Sequence, residues 1–191
     1  MEDASFGYLP GKFKLSKSKI KELIEILNLE KSEIKQLKRN KRKVANALKD
    51  GDTQIAKVIS LDPLLISCYS DEFDSVLIYK YPTKLVEMYN LKENQLLITS
   101  NLYWNMDCFE LEDDILKKEN MKYYYRDAIT FIPLFLCEND DEILLLTEMR
   151  AIDEMVDRLN INTEEYLEKK PNCIRDGFKT LIFLGGRKNE L

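Results

Sequence analysis

Residues 54–81 read QIAKVISLDPLLISCYSDEFDSVLIYKY, and this stretch decides the fold class. Runs rich in β-branched and aromatic residues, separated by polar or Pro-containing turns, predict strands here and shortly afterwards. The predicted strands are residues 54–60, 64–69, 76–81 and 96–100. The polar turn 70–74 joins the second strand to the third and predicts an antiparallel hairpin. Pro82 then favours the start of a short helix that ends near Tyr89.

Two amphipathic helices are predicted before this sheet. The first follows a cap at Ser16 or Ser18 and repeats apolar residues at helical spacing, namely Ile20, Leu23, Ile24 and Leu27. The second covers residues 32–49, and its apolar face carries Ile34, Leu37, Val44 and Leu48. An isolated pair of helices could not bury two such rows. We therefore expect both helices to pack on the core formed by residues 54–184.

The C-terminal half of the chain has weaker patterns. They predict a helix at 113–121, an edge or broken strand at 129–137, helices at 140–159 and 163–169, and a strand at 178–184. Pro133 restricts the first of these strands, because proline cannot donate to a sheet ladder. Residues 143–146 are apolar enough to form either a strand or a helix. The predicted fold class is α+β, with an N-terminal helical pair followed by a mainly antiparallel sheet with helices packed on it.

Charge divides the chain near residue 50. The 191 residues have a formal net charge of -5, from 29 Lys+Arg and 34 Asp+Glu. Residues 12–49 hold 13 basic and 4 acidic side chains, whereas residues 50–191 carry a net charge of -12. We therefore predict two parts. Residues 1–50 form a basic helical segment, and it docks on an acidic α+β body made of residues 51–191.

Several classes of enzyme are excluded by composition. The chain contains no histidine, so it has neither a Ser-His-Asp nor a Cys-His catalytic system. Its six glycines form no G-x-G-x-x-G motif and no P-loop, and its four cysteines form no C-x-x-C pair. We predict no enzyme activity, no cofactor and no metal site. A metal-dependent hydrolase built from the acidic clusters is the third alternative.

The segment 101–114 is the predicted partner-binding surface, because aromatic rings supply contact area and carboxylates steer a charged partner. Its candidate residues are Tyr103, Trp104, Asp107, Glu110, Glu112, Asp113 and Asp114. The alternative interpretation is that Trp104 simply ends a strand in the core. A second candidate surface is cationic and lies in the second predicted helix. Its residues are Lys38, Arg39, Lys41, Arg42 and Lys43.

These features predict a non-catalytic cytoplasmic protein that binds another protein, in particular a basic one. An immunity-type inhibitor of a basic toxin or enzyme is a concrete version, because an acidic surface accelerates the capture of a cationic partner. The alternative is a nucleic-acid-associated protein that uses the basic helix 31–49. No apolar run approaches the ~20 residues that span a bilayer, so no membrane association is expected. The sequence leaves the oligomeric state open.

Overall fold

The computed structural model describes residues 13–104, 111–118 and 127–182. In chain order its elements are α1 (Lys17–Ile26), α2 (Lys31–Asp50), β1 (Asp52–Leu61), β2 (Leu64–Ser70), β3 (Ser75–Tyr81), α3 (Lys84–Met88), β4 (Leu96–Trp104), β5 (Asp127–Phe131), α4 (Pro133–Leu136), α5 (Asp140–Arg150), α6 (Asp153–Lys169), β6 (Ile174–Asp176) and α7 (Lys179–Ile182). Two helices precede a sheet of 6 strands, and further helices pack on that sheet. The predicted α+β class is confirmed.

The strands form one curled sheet in the order β5-β4-β1-β2-β3-β6. Neighbouring strands are antiparallel except for β3 and β6, which run parallel. The predicted hairpin of β2 and β3 is confirmed, with Ser70 opposite Ser75 at its turn. The sheet curls so that β5 approaches β3. This is shown by the backbone N–H of Thr130 on β5, which donates to the hydroxyl of Tyr79 on β3 at 3.2 Å. Three strands separate these two residues in the sheet order.

Alternate residues of the strands face two different apolar layers, as the pleat requires. On one side α6 covers the sheet through a compact cluster, whose members include Ile55, Tyr69, Val76, Ile78, Met155, Leu159 and Tyr166. The other side belongs to a larger cluster, which includes Ala56, Cys68, Leu77, Tyr79 and Leu97 together with residues of α1 and α2. The sheet is therefore buried on both faces over most of its width.

The N-terminal helices are attached to the sheet by buried side chains and by hydrogen bonds. Ser16 caps α1, and its Oγ accepts from the Lys19 N–H at 3.4 Å. The apolar row of α2 is buried, with Leu48 fully enclosed. Within that row Asn40 donates its Nδ2 to the Ile182 carbonyl at 2.7 Å, which joins α2 to α7. Both predicted helices are confirmed to within a few residues at their ends.

Two predicted elements are wrong in the described residues. Residues 113–115 form a turn and residues 116–118 have no regular structure, where a helix was predicted to begin, because Asp114 pairs with Arg175 and holds this segment on the sheet. The strand predicted at 178–184 is instead the short helix α7. Asp176 Oδ1 accepts from the backbone N–H groups of Phe178 and Lys179, both at 3.0 Å, and so caps that helix. Residues 119–121 and 183–184 lie outside the described ranges.

The helix predicted over 140–159 is two helices. It breaks between Arg150 and Asp153, and the second helix, α6, continues through the short helix predicted at 163–169. The two halves pack on different parts of the sheet, α5 mainly on β4 with a smaller contact to β1, and α6 on β1, β2 and β3. The edge strand predicted at 129–137 is confirmed for residues 129–131, which belong to β5 at the edge of the sheet, and wrong for residues 133–136, because Pro133 opens the helix α4.

Candidate functional site

Helix α5 buries one face and exposes another that is also apolar. Its buried residues follow helical spacing and are Ile143, Thr147 and Arg150. Three large side chains of α5 lie away from that face, with exposed fractions of 51% for Leu144, 56% for Leu145 and 62% for Met149, and Ile152, two residues after the helix ends, is 43% exposed. We name these four residues the α5 face. Four consecutive apolar residues, 143–146, cannot all point to one side of a helix, so the sequence itself forces part of the run outward.

Carboxylates surround the α5 face. Residues 138–154 contain seven Asp and Glu side chains and a single basic residue, Arg150. Three of these carboxylates form ion pairs, which are Glu138 with Lys14, Asp140 with Lys19 and Glu154 with Arg158. Asp141, Glu148 and Asp153 form no ion pair with a described residue. The α5 face is therefore an exposed apolar surface in a negative local field.

Such a surface can bind a partner that offers apolar side chains next to cations. Isolated exposed apolar residues are ordinary, but a contiguous group with a polar rim is typical of interaction sites. Met149 adds an adaptable side chain, because methionine is unbranched and fits irregular surfaces. The free carboxylates would accelerate the encounter with a positively charged partner.

The described residues of the predicted surface 101–114 include Tyr103 and Trp104 at the end of β4. The Tyr103 hydroxyl lies 3.0 Å from Ser70 Oγ and donates to Asp71 Oδ1 at 3.4 Å. Its ring packs edge-on against Phe73 at 5.6 Å, and desolvation raises the pKa of Tyr103 well above its ordinary value. Trp104 is the last residue of β4. Tyr103 thus belongs to an internal polar group at the β2–β3 turn.

Three acidic members of that predicted surface are described. Glu112 is half-buried and Asp113 is exposed, and the Lys170 Nζ donates to the Asp113 carbonyl. Asp114 accepts two hydrogen bonds from Arg175, each at 2.5 Å. Its carboxylate is therefore engaged in an ion pair within the molecule, and its part in partner binding stays a prediction. Asp107 and Glu110 lie outside the described residues, so their part in partner binding stays a prediction.

The cationic side chains of α2 point away from the sheet. Lys38, Arg39, Arg42 and Lys43 are exposed, and Lys41 is half-buried. Arg39 donates to the side chain of Gln36 on the same helix. None of the five forms an ion pair with a described carboxylate. The apolar side of α2 is used for packing, and its positive side is left for solvent or for a ligand.

The acidic clusters and the thiols are the groups that the sequence offered for metal binding or nucleophilic chemistry. Among them, no group of three or more His, Cys, Asp or Glu side chains is arranged to hold a metal ion. Burial raises the pKa of the Cys68 thiol far above its ordinary value and that of Cys137 to about 12, so both stay protonated at neutral pH. Cys173 is half-buried. Neither Cys68 nor Cys137 is a thiolate nucleophile.

No protein-family model, curated protein or solved structure matches this chain. Within the described ranges, no helix combines the length and the apolar character that a bilayer span requires. The α5 face was not among the predicted sites. The signal for it was the apolar run at 143–146, which exceeds what one buried helix face can take up.

Proposed function

We propose that this chain is a non-catalytic cytoplasmic protein that binds a basic protein partner through the α5 face. The observation that carries the proposal is the group of four exposed apolar side chains beside Asp141, Glu148 and Asp153, whose carboxylates have no described ion-pair partner. An inhibitor of the immunity type, which neutralises a basic toxin or enzyme, is the specific form that we favour. Such a protein needs only complementary shape and potential.

The apolar side chains and the rim charges of this surface contribute to binding in different ways. Covering a large apolar side chain that is about half exposed contributes on the order of 1 kcal/mol, so four of them supply several kcal/mol. Rim charges contribute less to affinity, but they raise the association rate and make it sensitive to salt. A partner for this surface would therefore combine an apolar ridge with flanking Lys or Arg side chains.

The first test uses a labelled helical peptide composed of Leu and Lys as a defined basic, apolar probe. Fluorescence anisotropy at low salt should show saturable binding to the protein. The double variant Leu145→Ser/Met149→Ser should weaken it by about tenfold or more, because two apolar contacts of about 1 kcal/mol each are lost. Glu148→Lys should weaken binding mainly at low salt.

A matched control comes from α6, which also exposes apolar residues. Ile161 is 64% exposed and Leu167 is 38% exposed, so Ile161→Ser/Leu167→Ser removes similar groups from another helix. This control should bind the peptide like the wild type. Equal weakening by both double variants, or no binding at low salt, would contradict the proposal. For the inhibitor form, the α5 variant should also fail to protect cells from a toxin encoded by a neighbouring gene.

A second candidate function is nucleic-acid association through α2. The observation that favours it is the row of exposed cations, Lys38, Arg39, Arg42 and Lys43, without described ion-pair partners. Neutralising phosphates makes affinity fall steeply with salt. Substituting these four residues by Gln should abolish the retardation of DNA or RNA at low salt. An absence of retardation by the wild-type protein would end this alternative.

A further inference from the structure

The exposed side of α2 carries a row of cations that runs from one end of the helix to the other. Residues 34–49 contain no acidic side chain. Exposed basic side chains recur mainly at spacings of three and four positions, which keep them on one side of a helix. We name this set the α2 row. Its members are Lys31, Lys35, Lys38, Arg39, Arg42, Lys43 and Lys49.

These cations repel one another in the folded protein. Lys35, Lys38 and Arg42 follow one another at three and four positions, and Arg39 and Lys43 are four positions apart beside them. Like charges at these spacings destabilise a helix. No member of the α2 row forms an ion pair with a described carboxylate. A ligand that supplies anions along the helix would therefore relieve a repulsion that the described residues do not neutralise.

The buried side of α2 decides which kind of anionic ligand the row can meet. A basic amphipathic helix binds an anionic membrane by burying its apolar side at the boundary between headgroups and acyl chains. In α2 that side is already used, because Leu37, Val44 and Leu48 are at most 6% exposed and belong to the main apolar cluster. The row can therefore bind a ligand only from outside and through charge, which favours a polyanion over a membrane.

The length and charge density of the α2 row resemble those of one strand in a nucleic-acid duplex. From Lys31 to Lys49 the helix axis covers about 27 Å, at about 1.5 Å per residue. The row has about one cation per 4 Å of this length, and each strand of B-DNA carries one phosphate per about 3.4 Å of its axis. Single strands, in contrast, are held by base stacking on aromatic side chains as well as by charge. Helix α2 contains no aromatic residue, so a duplex fits it better.

We propose that the α2 row binds double-stranded nucleic acid along its phosphate backbone, without reading the bases. This inference rests on the nucleic-acid association proposed as the second candidate function, and it adds the form of the ligand and the mode of contact. All members of the row except Arg39 and Arg42 are Lys, which meets a phosphate as a point charge. Asn40, whose amide could pair with the edge of adenine, is 3% exposed and donates to the Ile182 carbonyl. Phosphate contacts position a protein on the duplex but carry no sequence information.

The test measures fluorescence anisotropy of a labelled DNA duplex, a few times longer than α2, with the full chain. If about five of the cations contact phosphates, the logarithm of the association constant should fall against the logarithm of the salt concentration with a slope of about −4 to −5. This slope corresponds to a loss of about 10²–10³-fold in affinity between about 50 and about 200 mM salt. Two duplexes of different base composition should bind alike. An oligothymidine of the same length should bind about tenfold more weakly or less, because α2 offers no ring for stacking.

The triple variant Lys35→Gln/Lys38→Gln/Arg42→Gln removes part of the α2 row. The magnitude of its salt slope should be smaller by about 2–3, since each lost phosphate contact removes about 0.9. Thermal melts verify that the variant is folded. It should melt no lower than the wild type, because the substitutions remove repulsion between like charges.

The matched control Lys80→Gln/Lys84→Gln/Lys92→Gln changes the net charge equally but removes exposed cations from β3, α3 and the loop before β4. Its salt slope should stay close to that of the wild type. An equal loss of slope in this control would place the binding cations outside the α2 row and overturn the proposal.

The ligands themselves supply the other contrary results. An absence of duplex binding at low salt would end the second candidate function together with this inference. Equal or tighter binding of the single strand, or a strong preference between the two duplexes, would overturn this mode of contact while nucleic-acid association stands. Binding to vesicles that contain phosphatidylserine in preference to the duplex would identify a membrane as the ligand instead.

Discussion

Arg175 joins three elements of the molecule through one guanidinium group. It forms a bidentate pair with Asp114 and donates its Nη1 to the Ala128 carbonyl on β5 at 2.5 Å. Its side chain is only 3% exposed. The pair therefore connects the segment 111–118 and both edge strands of the sheet. A buried charge of this kind is tolerated only while every partner is in place.

Replacing Arg175 by Ala should destabilise the protein strongly. The substitution removes the bidentate Arg175 partner of the Asp114 carboxylate and the Arg175 donor to the Ala128 carbonyl, and we expect a loss of about 3–5 kcal/mol in the free energy of unfolding. Urea denaturation measures it. The exposed Arg158, paired with Glu154, is the control, and Arg158→Ala should cost about 1 kcal/mol or less. Similar small effects for both would show that Arg175 does not hold the edges together.

Asp71 predicts a pH dependence of stability. Its pKa is about 6 in the folded protein and 3.8 in its ordinary state. Between these values the folded state binds more protons than the unfolded state, so stability falls as the pH rises from about 4 to about 6. Asp71→Asn should be more stable than the wild type above pH 6, by about 1 kcal/mol because the exposed carboxylate is screened by solvent. Thermal melts across this range measure it. Identical pH profiles for the two proteins would contradict the assignment.

Helices and strands whose own residues carry a clear local pattern were predictable from the sequence. Helix α2 has a complete apolar row and strands β1–β3 have turns of clear chemistry, so local patterns suffice there. The break between α5 and α6 was not predictable. Neither Gly nor Pro marks it, and it arises because the two helices pack on different parts of the sheet. The three-residue strand β6 exists only through its parallel pairing with β3.

The same distinction applies to the candidate sites. The cations of α2 and the acids around α5 were visible as clusters in the sequence. The buried amides of Gln54 and Asn101 were not visible as a cluster in the sequence, because they come from two strands that only the register brings together. Likewise, the pairing of Asp114 with Arg175, 61 positions away, could not be predicted from the sequence.

The buried row of α2 gives a prediction at the scale of the element. Leu37 is 6% exposed and belongs to the main apolar cluster. Leu37→Ala should therefore reduce the free energy of unfolding by about 2–5 kcal/mol, through lost burial and a residual cavity. Lys43→Ala on the opposite, exposed face should change it by less than about 0.5 kcal/mol. Chemical denaturation compares the two, and equal small effects would mean that α2 is attached only loosely.

At the scale of the whole molecule, the basic helix α2 and the acidic helix α5 differ in what they bury and what they expose. The basic helix α2 packs its apolar side on α7 and β4 and keeps its cations outside. The acidic helix α5 packs on β4 as well, and it exposes apolar residues together with its carboxylates. Opposite charges therefore lie on different helices that share one strand as support. The exposed side of each helix can contact a ligand while its buried side stays packed in the core.

This arrangement predicts that the helical segment and the sheet unfold together. Val44 and Leu48 are buried against the body, and the Ser100 hydroxyl on β4 donates to the Ala47 carbonyl at 3.4 Å. Opening α2 would expose the same apolar cluster that the sheet uses, so it should require nearly the full free energy of unfolding. Native-state hydrogen exchange should give opening free energies for the Val44 and Leu48 amides within about 1 kcal/mol of that for Ile66 in β2. Much faster exchange in α2, with β2 still protected, would show instead that residues 1–50 form an independent arm. Its exposed cations would then favour nucleic-acid binding.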